Sequence, residues 1–325
     1  MGRLSQRQSD LVLFLFSKPL RLLRENQLSE RQTMPNPLPM NSNQYPDGLT
    51  HSILAILSVL LLALVYGSPL QAATEETPQE KVTGLPEVPA AIIGKAPPLK
   101  GEAIAYFPDR PKTSGYLSLP EGNIKGGVIL IHEWNGLSQR IRETADAFAA
   151  EGYAALAADL YQGRIGQSRS ENLALVRETQ SDPELIIDNL NAAVTALKAR
   201  SSAEKIATVG WCFGGGVALS YALGGETHEG TAIFYGRLVT DPDSLRAITH
   251  EVFGTFAGLD RGPSVSDVNA FVGAMRQAGI ENDVHIYDDV NHGFWLHVDR
   301  DLDRRLAPAA DAWQRLKHYL HRSLQ

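Results

Sequence analysis

Cysteine is almost missing from this chain: Cys212 is the only one in 325 residues. That excludes an internal disulfide and any multi-cysteine metal or cluster site. Basic residues do not dominate either, since 30 Lys+Arg stand against 37 Asp+Glu and the net charge is -7. The chain as a whole therefore has no electrostatic pull toward nucleic acid or an anionic membrane. Its apolar run Ile53–Tyr66, broken only by Ser58, is fourteen residues long, short of the roughly 20 residues of a membrane span. There is no internal repeat and no low-complexity array. No glycine-rich phosphate or dinucleotide fingerprint stands in the right context. No metal site stands out: His318 and His321 are spaced as neighbours on a helix face, which reads as solvated surface. No cofactor is implied. What remains is a composition 43% hydrophobic and 21% charged, that of a globular protein with a sizeable core.

The chain divides by composition. Residues 1–52 read as an extension, either disordered or upstream of a true start at Met34 or Met40. Ile53–Tyr66 and the small residues Ala72 and Ala73 give segment 53–73 the pattern of a signal peptide, with an uncleaved membrane anchor as the alternative. The expectation is an exported protein, periplasmic or secreted. Residues 74–99, with prolines at 78, 86, 89, 97 and 98, read as a linker. Residues 100–325 alternate short apolar runs with amphipathic stretches and make one domain.

The expected strands are Gly126–Glu133, Tyr153–Tyr161, Lys205–Gly210, Thr231–Gly236, Val252–Gly258 and Asp283–Asp289. The expected helices run from Ser138 to Gly152, Pro183 to Arg200, Cys212 to Gly224, Asp267 to Ala278 and Ala309 to Leu324. Continuous apolar strands between helices argue for an α/β fold, a mostly parallel twisted sheet with helices on both faces. In such a sheet ligands bind beyond the carboxyl ends of the strands. The polar residues that fall there are His132 and Glu133, Tyr161 and Arg164, Cys212, Asp260 and His292.

Cys212 lies in "VGWCFGGG", Val209 to Gly216. Gly210-Trp211-Cys212-Phe213-Gly214 fits a nucleophile elbow with cysteine in the usual serine position. Flanking glycines permit the sharp strand-to-helix turn. The helix dipole at that point favours thiolate over thiol, and the Phe213 N–H can donate to an oxyanion. Taken alone, Cys212 could equally be a small buried residue beside glycines that permit close packing. An elbow, however, is followed by an acid and then a histidine. Asp260 comes 48 residues later and His292 another 32, each just past a strand. In that order they form a Cys-Asp-His triad, with His292 as general base and acid oriented by Asp260.

The segments "VILIHEWNGL", "RETADAFAAEGYAALAADLY", "VGWCFGGG", "FAGLD" and "DDVNHGFW" together resemble the dienelactone hydrolase family of the α/β-hydrolase fold, over about Tyr106 to Leu320. The resemblance implies a cysteine nucleophile with aspartate and histidine, matching Cys212, Asp260 and His292. It also implies a glutamate that helps ionise the thiol, matching Glu133, and a second oxyanion donor, the N–H of Trp134. Two arginines would hold a substrate carboxylate. Arg164 is a candidate for one, displaced by a residue, and Tyr161 and Trp211 are further expected substrate contacts. Leu296 stands where the second arginine is expected, so a less charged ester or lactone fits better. Arg142, Arg237, Arg261 and His297 are the residues that could substitute. The expected protein is a monomeric hydrolase of a small ester or lactone. The alternatives are a thioesterase or acyltransferase on the same triad, and a non-catalytic exported thiol sensor.

Overall fold

The computed structural model describes residues 87–325, so segments 1–52 and 53–73 and the first part of the expected linker lie outside the described residues. Eight strands form one sheet: β1 (Glu102–Ile104), β2 (Gly115–Ser118), β3 (Gly127–Ile131), β4 (Ala154–Ala158), β5 (Ile206–Trp211), β6 (Gly230–Phe234), β7 (Val252–Ala257) and β8 (Asn282–Tyr287). Their order is β1-β2-β4-β3-β5-β6-β7-β8. β3 to β8 pair in parallel, whereas β1 and β2 add an antiparallel edge. The order turns at β3, where β4 lies on one side and β5 on the other, and a crevice at such a point is where open α/β sheets bind ligands. Helices α1 (Gln139–Ala150), α2 (Arg169–Gln180), α3 (Pro183–Arg200), α4 (Phe213–Gly224), α5 (Pro242–Leu245), α6 (Val265–Ala278) and α7 (Leu302–Leu324) cover the two faces.

Alternation along the strands decides which layer each side chain joins. Val128 and Leu130 of β3 pack with Ile141, Phe148, Trp313 and Leu316 of α1 and α7. Their neighbours Ile129 and Ile131 turn to the other face, against Leu190, Leu197 and Val217 of α3 and α4. Both sets are fully buried, which is why β3, β4 and β5 read as unbroken apolar runs. A third apolar cluster closes the far end, where Phe271 and Met275 of α6 meet Val252 and Phe256 of β7.

Three differences from the sequence-based expectation have local causes. Residues 90–93, within the expected linker, form a turn of 3-10 helix with Ala91 and Ile92 buried, because "AAII" has an apolar face to hide. The last helix starts at Leu302, not Ala309, and carries Pro308 inside it. Asp301 caps this helix by accepting from the Arg304 N–H, a start signal that the proline obscured. Helix α2 and strands β1 and β2 were not expected. β1 has only one buried residue in three, and α2 buries only Asn172 and Leu175, so neither carries a strong periodic signal.

Candidate active site

β5 runs straight into α4 through a single residue. Cys212 has φ 55 and ψ -115, a backbone conformation that L-residues rarely adopt and that clusters at functional turns. The turn is possible because the helix start lies against neighbouring backbone. A Cβ on Gly214 would come 2.2 Å from the Ile131 oxygen and 2.5 Å from that of His132, and one on Gly210 would come 2.0 Å from the Gly214 oxygen. A Cβ on Gly215 would come 2.9 Å from the Phe234 oxygen, and one on Gly216 3.2 Å from the Arg237 Cβ. The glycine run thus lets α4 sit between the ends of β3 and β6.

The Cys212 N–H donates to the Phe234 oxygen at 2.9 Å, and the Cys212 carbonyl accepts from Gly215 and Gly216 at 3.1 and 3.3 Å. Phe213 is the first residue of α4, so its N–H precedes the helix's own hydrogen bonds and is available to an incoming oxygen. The Trp134 N–H has no backbone acceptor among the described residues.

His292 lies between Asp260 and Cys212. Its Nδ1 donates to Asp260 Oδ2 at 2.6 Å, and Cys212 lies near enough to the ring to raise its basicity. The Asp260 side chain is 6% exposed and that of His292 39%. Asp260 is itself fixed, because its other oxygen accepts from the Gly262 N–H at 2.9 Å. Burial alone would lower the basicity of His292, but the bond to Asp260, the nearness of Cys212 and the charge of each outweigh it and push its pKa up to about 10. The Tyr235 ring lies 5.0 Å from that of His292, with Tyr235 held at φ 41. Its hydroxyl accepts from the Leu296 N–H at 3.3 Å.

Glu133 stands two residues beyond Ile131, which pairs with Gly210, and Cys212 stands two beyond Gly210. The two therefore leave the sheet side by side. The Glu133 backbone is pinned by His132, a buried histidine whose Nδ1 donates to the Glu133 oxygen at 2.6 Å and whose Nε2 accepts from the Leu160 N–H at 3.2 Å. Burial lowers the pKa of His132, and with one ring nitrogen accepting it stays neutral. The Glu133 side chain is 9% exposed and accepts from His297 Nε2 at 2.7 Å.

Two of the expected substrate contacts, Arg164 and Trp211, are engaged elsewhere, and the third, Tyr161, is buried. Arg164 grips Glu178 with both terminal nitrogens, at 2.8 and 2.6 Å, on the surface. Tyr161 is fully buried, donates to the Trp134 oxygen at 3.1 Å and packs its ring 5.8 Å from that of Phe213. Its own position is set by Asp159, which accepts from the N–H groups of Ser114, Tyr161 and Gly163 at 3.0, 3.0 and 2.6 Å. Trp211 alternates into the α1/α7 layer and stacks on Trp295 with centroids 5.6 Å apart. Leu296 is 1% exposed. Of the four residues that could replace the expected arginine, Arg237 lies beside Cys212. The two share a cavity of about 50 Å³ with Phe213, Val217 and Leu238. His297 takes Glu133. The role of His297 was missed, although a second histidine five residues after the first was visible in "NHGFWLH". Among the described residues no cluster of three or more His, Cys, Asp or Glu could hold a metal ion, and no helix is long and apolar enough to cross a membrane.

Comparison with known proteins agrees with this geometry. The sequence profile of the dienelactone hydrolase family matches residues 113–324. A protein of Saccharolobus solfataricus named "Putative carboxymethylenebutenolidase" is 29% identical over 255 residues, 67% of this chain and 97% of that one. A protein of the same name from Methylorubrum extorquens is 29% identical over 224 residues, covering 63% of this chain and 75% of its own. Among solved structures, m3DLH superposes with a TM-score of 0.62 at 24% identity, over 70% of this chain and 99% of its own. The dienelactone hydrolase-like promiscuous phosphotriesterase P91 gives 0.61 at 20%, over 70% and 99%. At those identities the two superpositions speak for the α/β-hydrolase fold alone.

Proposed function

The chain belongs to the dienelactone hydrolase family and is a carboxylic ester hydrolase; from that premise we propose that it cleaves a small ester or lactone through a thioester formed on Cys212. The observation that carries this reading is the His292 imidazole held between Asp260 and Cys212 at the carboxyl ends of the strands. In the first half-reaction the Cys212 sulfur adds to the ester carbonyl carbon. The carbonyl oxygen takes the electron pair and is received by the N–H groups of Phe213 and Trp134. When the C–O bond breaks, the alkoxide leaves with the proton from His292, and in a lactone it stays tethered to the acyl chain.

The second half-reaction needs a base. Once sulfur is acylated, its negative charge is gone, and with it two of the influences that raise His292. The imidazole can then take a proton from water as the water oxygen adds to the thioester. Sulfur leaves as thiolate, the carboxylic acid departs and ionises, and His292 keeps the proton for the next cycle. Arg164 being tied to Glu178 and Leu296 being buried both support a substrate that does not depend on the two expected arginines.

The test is a panel of short-chain aryl esters, thioesters and lactones with the full chain and with Cys212→Ala, together with intact mass of the enzyme during turnover. Hydrolysis by the wild type with an acyl mass adduct on Cys212, and loss of at least about 10³-fold in the variant, is the expected result. Full activity in Cys212→Ala removes the mechanism. Faster turnover of thioesters than of oxygen esters would redirect the substrate class to thioester hydrolysis. No turnover of any acyl substrate would leave the thiol-sensing alternative.

A further inference from the structure

A second cavity, of about 220 Å³, shares no lining residue with the one beside Cys212. It lies between the loop after β4, the connection from β1 to β2 and the start of α3. Its volume is below the roughly 300–1,000 Å³ of pockets that take drug-sized ligands, so it suits a small occupant. Phe107, Leu160, Leu185 and Ile186 give it an apolar lining. Its charges balance, with Arg110 and Arg164 against Glu178 and Asp182. Arg164 and Glu178 are engaged with each other at 2.6 Å. The Arg110 guanidinium has no ion-pair or hydrogen-bond partner among the described residues. Asp182 caps α3 with one oxygen, which accepts from the Leu185 N–H at 3.1 Å. Its other oxygen has no partner among the described residues. The wall also holds Thr113, 1% exposed, whose hydroxyl is without a hydrogen-bond partner. A buried hydroxyl left unpaired is unfavourable and calls for a reason, and a polar ligand supplies one.

We propose that this cavity is a binding site for a small zwitterion with an apolar body, of the class of the aliphatic α-amino acids, with its carboxylate on Arg110 and its ammonium on Asp182. One unpaired charge of each sign beside an apolar lining complements neither a simple anion nor a simple cation. The free guanidinium offers a planar fork that matches a carboxylate, and the Thr113 hydroxyl can donate or accept beside it. The surrounding field speaks against a bare carboxylate. Asp188 on α3 is raised by burial first and then by Glu184, Asp182 and Asp109, so carboxylates crowd this end of the helix. An anion without its own ammonium would face all of them. The same wall leads toward Cys212. Leu160 and Gln162 flank Tyr161, which donates to the Trp134 oxygen at 3.1 Å and packs 5.8 Å from the Phe213 ring. Gln162 has φ 54, a strained conformation that its surroundings must hold. An occupant of the cavity therefore rests on the loop that reaches the residues on either side of the site.

The test is isothermal titration of the full chain with L-leucine, with 3-methylbutylamine, which lacks the carboxylate, and with 4-methylpentanoate, which lacks the ammonium. L-Leucine should bind saturably at one site, at least about tenfold more tightly than either half-ligand. R110Q should weaken that binding about tenfold or more, and so should D182N, which keeps a residue able to cap α3. No saturable binding of L-leucine overturns the proposal, as does an affinity that either variant leaves unchanged. 4-Methylpentanoate binding as tightly as L-leucine, in the wild type and in R110Q alike, also overturns it, because the ligand then sits elsewhere and needs no ammonium. If R110Q does not fold, D182N decides by the same criterion. No turnover enters the titration, so its failure leaves the thioester mechanism standing, and an inactive enzyme would leave this site standing.

Discussion

Replacing Gly214 by alanine tests whether the close approach of α4 to β3 builds the turn at Cys212. The added Cβ would lie 2.2 Å from the Ile131 oxygen and 2.5 Å from the His132 oxygen. Both are backbone atoms, and Ile131 is fully buried in the middle of the sheet, so β3 cannot yield. The first turn of α4 must instead retreat by about 0.8 Å or more to reach the 3.0 Å below which real Cβ contacts are essentially not found. That displacement carries the Cys212 sulfur and the Phe213 N–H away from His292 and from the Trp134 N–H. Overpacking of this kind costs about 3 kcal/mol, and a misplacement near 1 Å costs about 10²-fold in rate. Urea denaturation and ester turnover of the full chain measure the two effects. Gly216→Ala, whose Cβ meets the Arg237 Cβ at 3.2 Å, should be milder in both. Gly273→Ala in α6 has nothing within 4 Å and should stabilise by about 0.5–1 kcal/mol. If Gly214→Ala keeps the wild-type midpoint and turnover, the turn does not depend on this approach and the reasoning fails.

Two further outcomes follow from the titrating groups. Asp260→Asn weakens the carboxylate hydrogen bond that is the strongest influence raising His292; turnover should fall by about 10²-fold or more, and the alkaline limb of the rate profile should move to lower pH. Because His292 is raised, its linked stability is fully present below about pH 6.5 and lost as the pH rises through about 10; an alkaline limb unmoved in Asp260→Asn contradicts the assignment. At the start of β6, the end of the strands opposite Cys212, His228 and His250 share Thr231 Oγ1 at 3.0 and 2.9 Å. Burial, then the neighbouring His228, lowers His250 to about 4, and burial lowers His228 as well. A depressed histidine contributes stability that is present above about pH 6.5 and lost as the pH falls toward 4, so His250 accounts for a loss of about 2 kcal/mol by pH 5. Urea midpoints at pH 7.5 and 5 should therefore converge in His250→Gln; an equal drop in wild type and variant would show that this histidine is not responsible.

What could be read from the sequence, and what could not, follows from how far each feature depends on neighbours in the chain. The parallel strands were legible because burial on both faces writes them as unbroken apolar runs, as in Val128–Ile131 and Ala154–Ala158. The order Cys212, Asp260, His292 was legible because each residue follows its own strand, and strand ends converge whatever the loops do between them. Trp211 was misassigned for the opposite reason. It adjoins the nucleophile in sequence, but one step along a strand reverses the side chain, and Trp211 enters the layer that holds Trp295. Arg164 was misassigned because a guanidinium reaches whatever carboxylate is near, and Glu178 on α2 is near only through a helix the sequence signalled weakly. His297 shows the limit most clearly. A motif aligned by spacing points to Leu296, whereas Glu133 meets the residue whose side chain the loop turns toward it, one position further on.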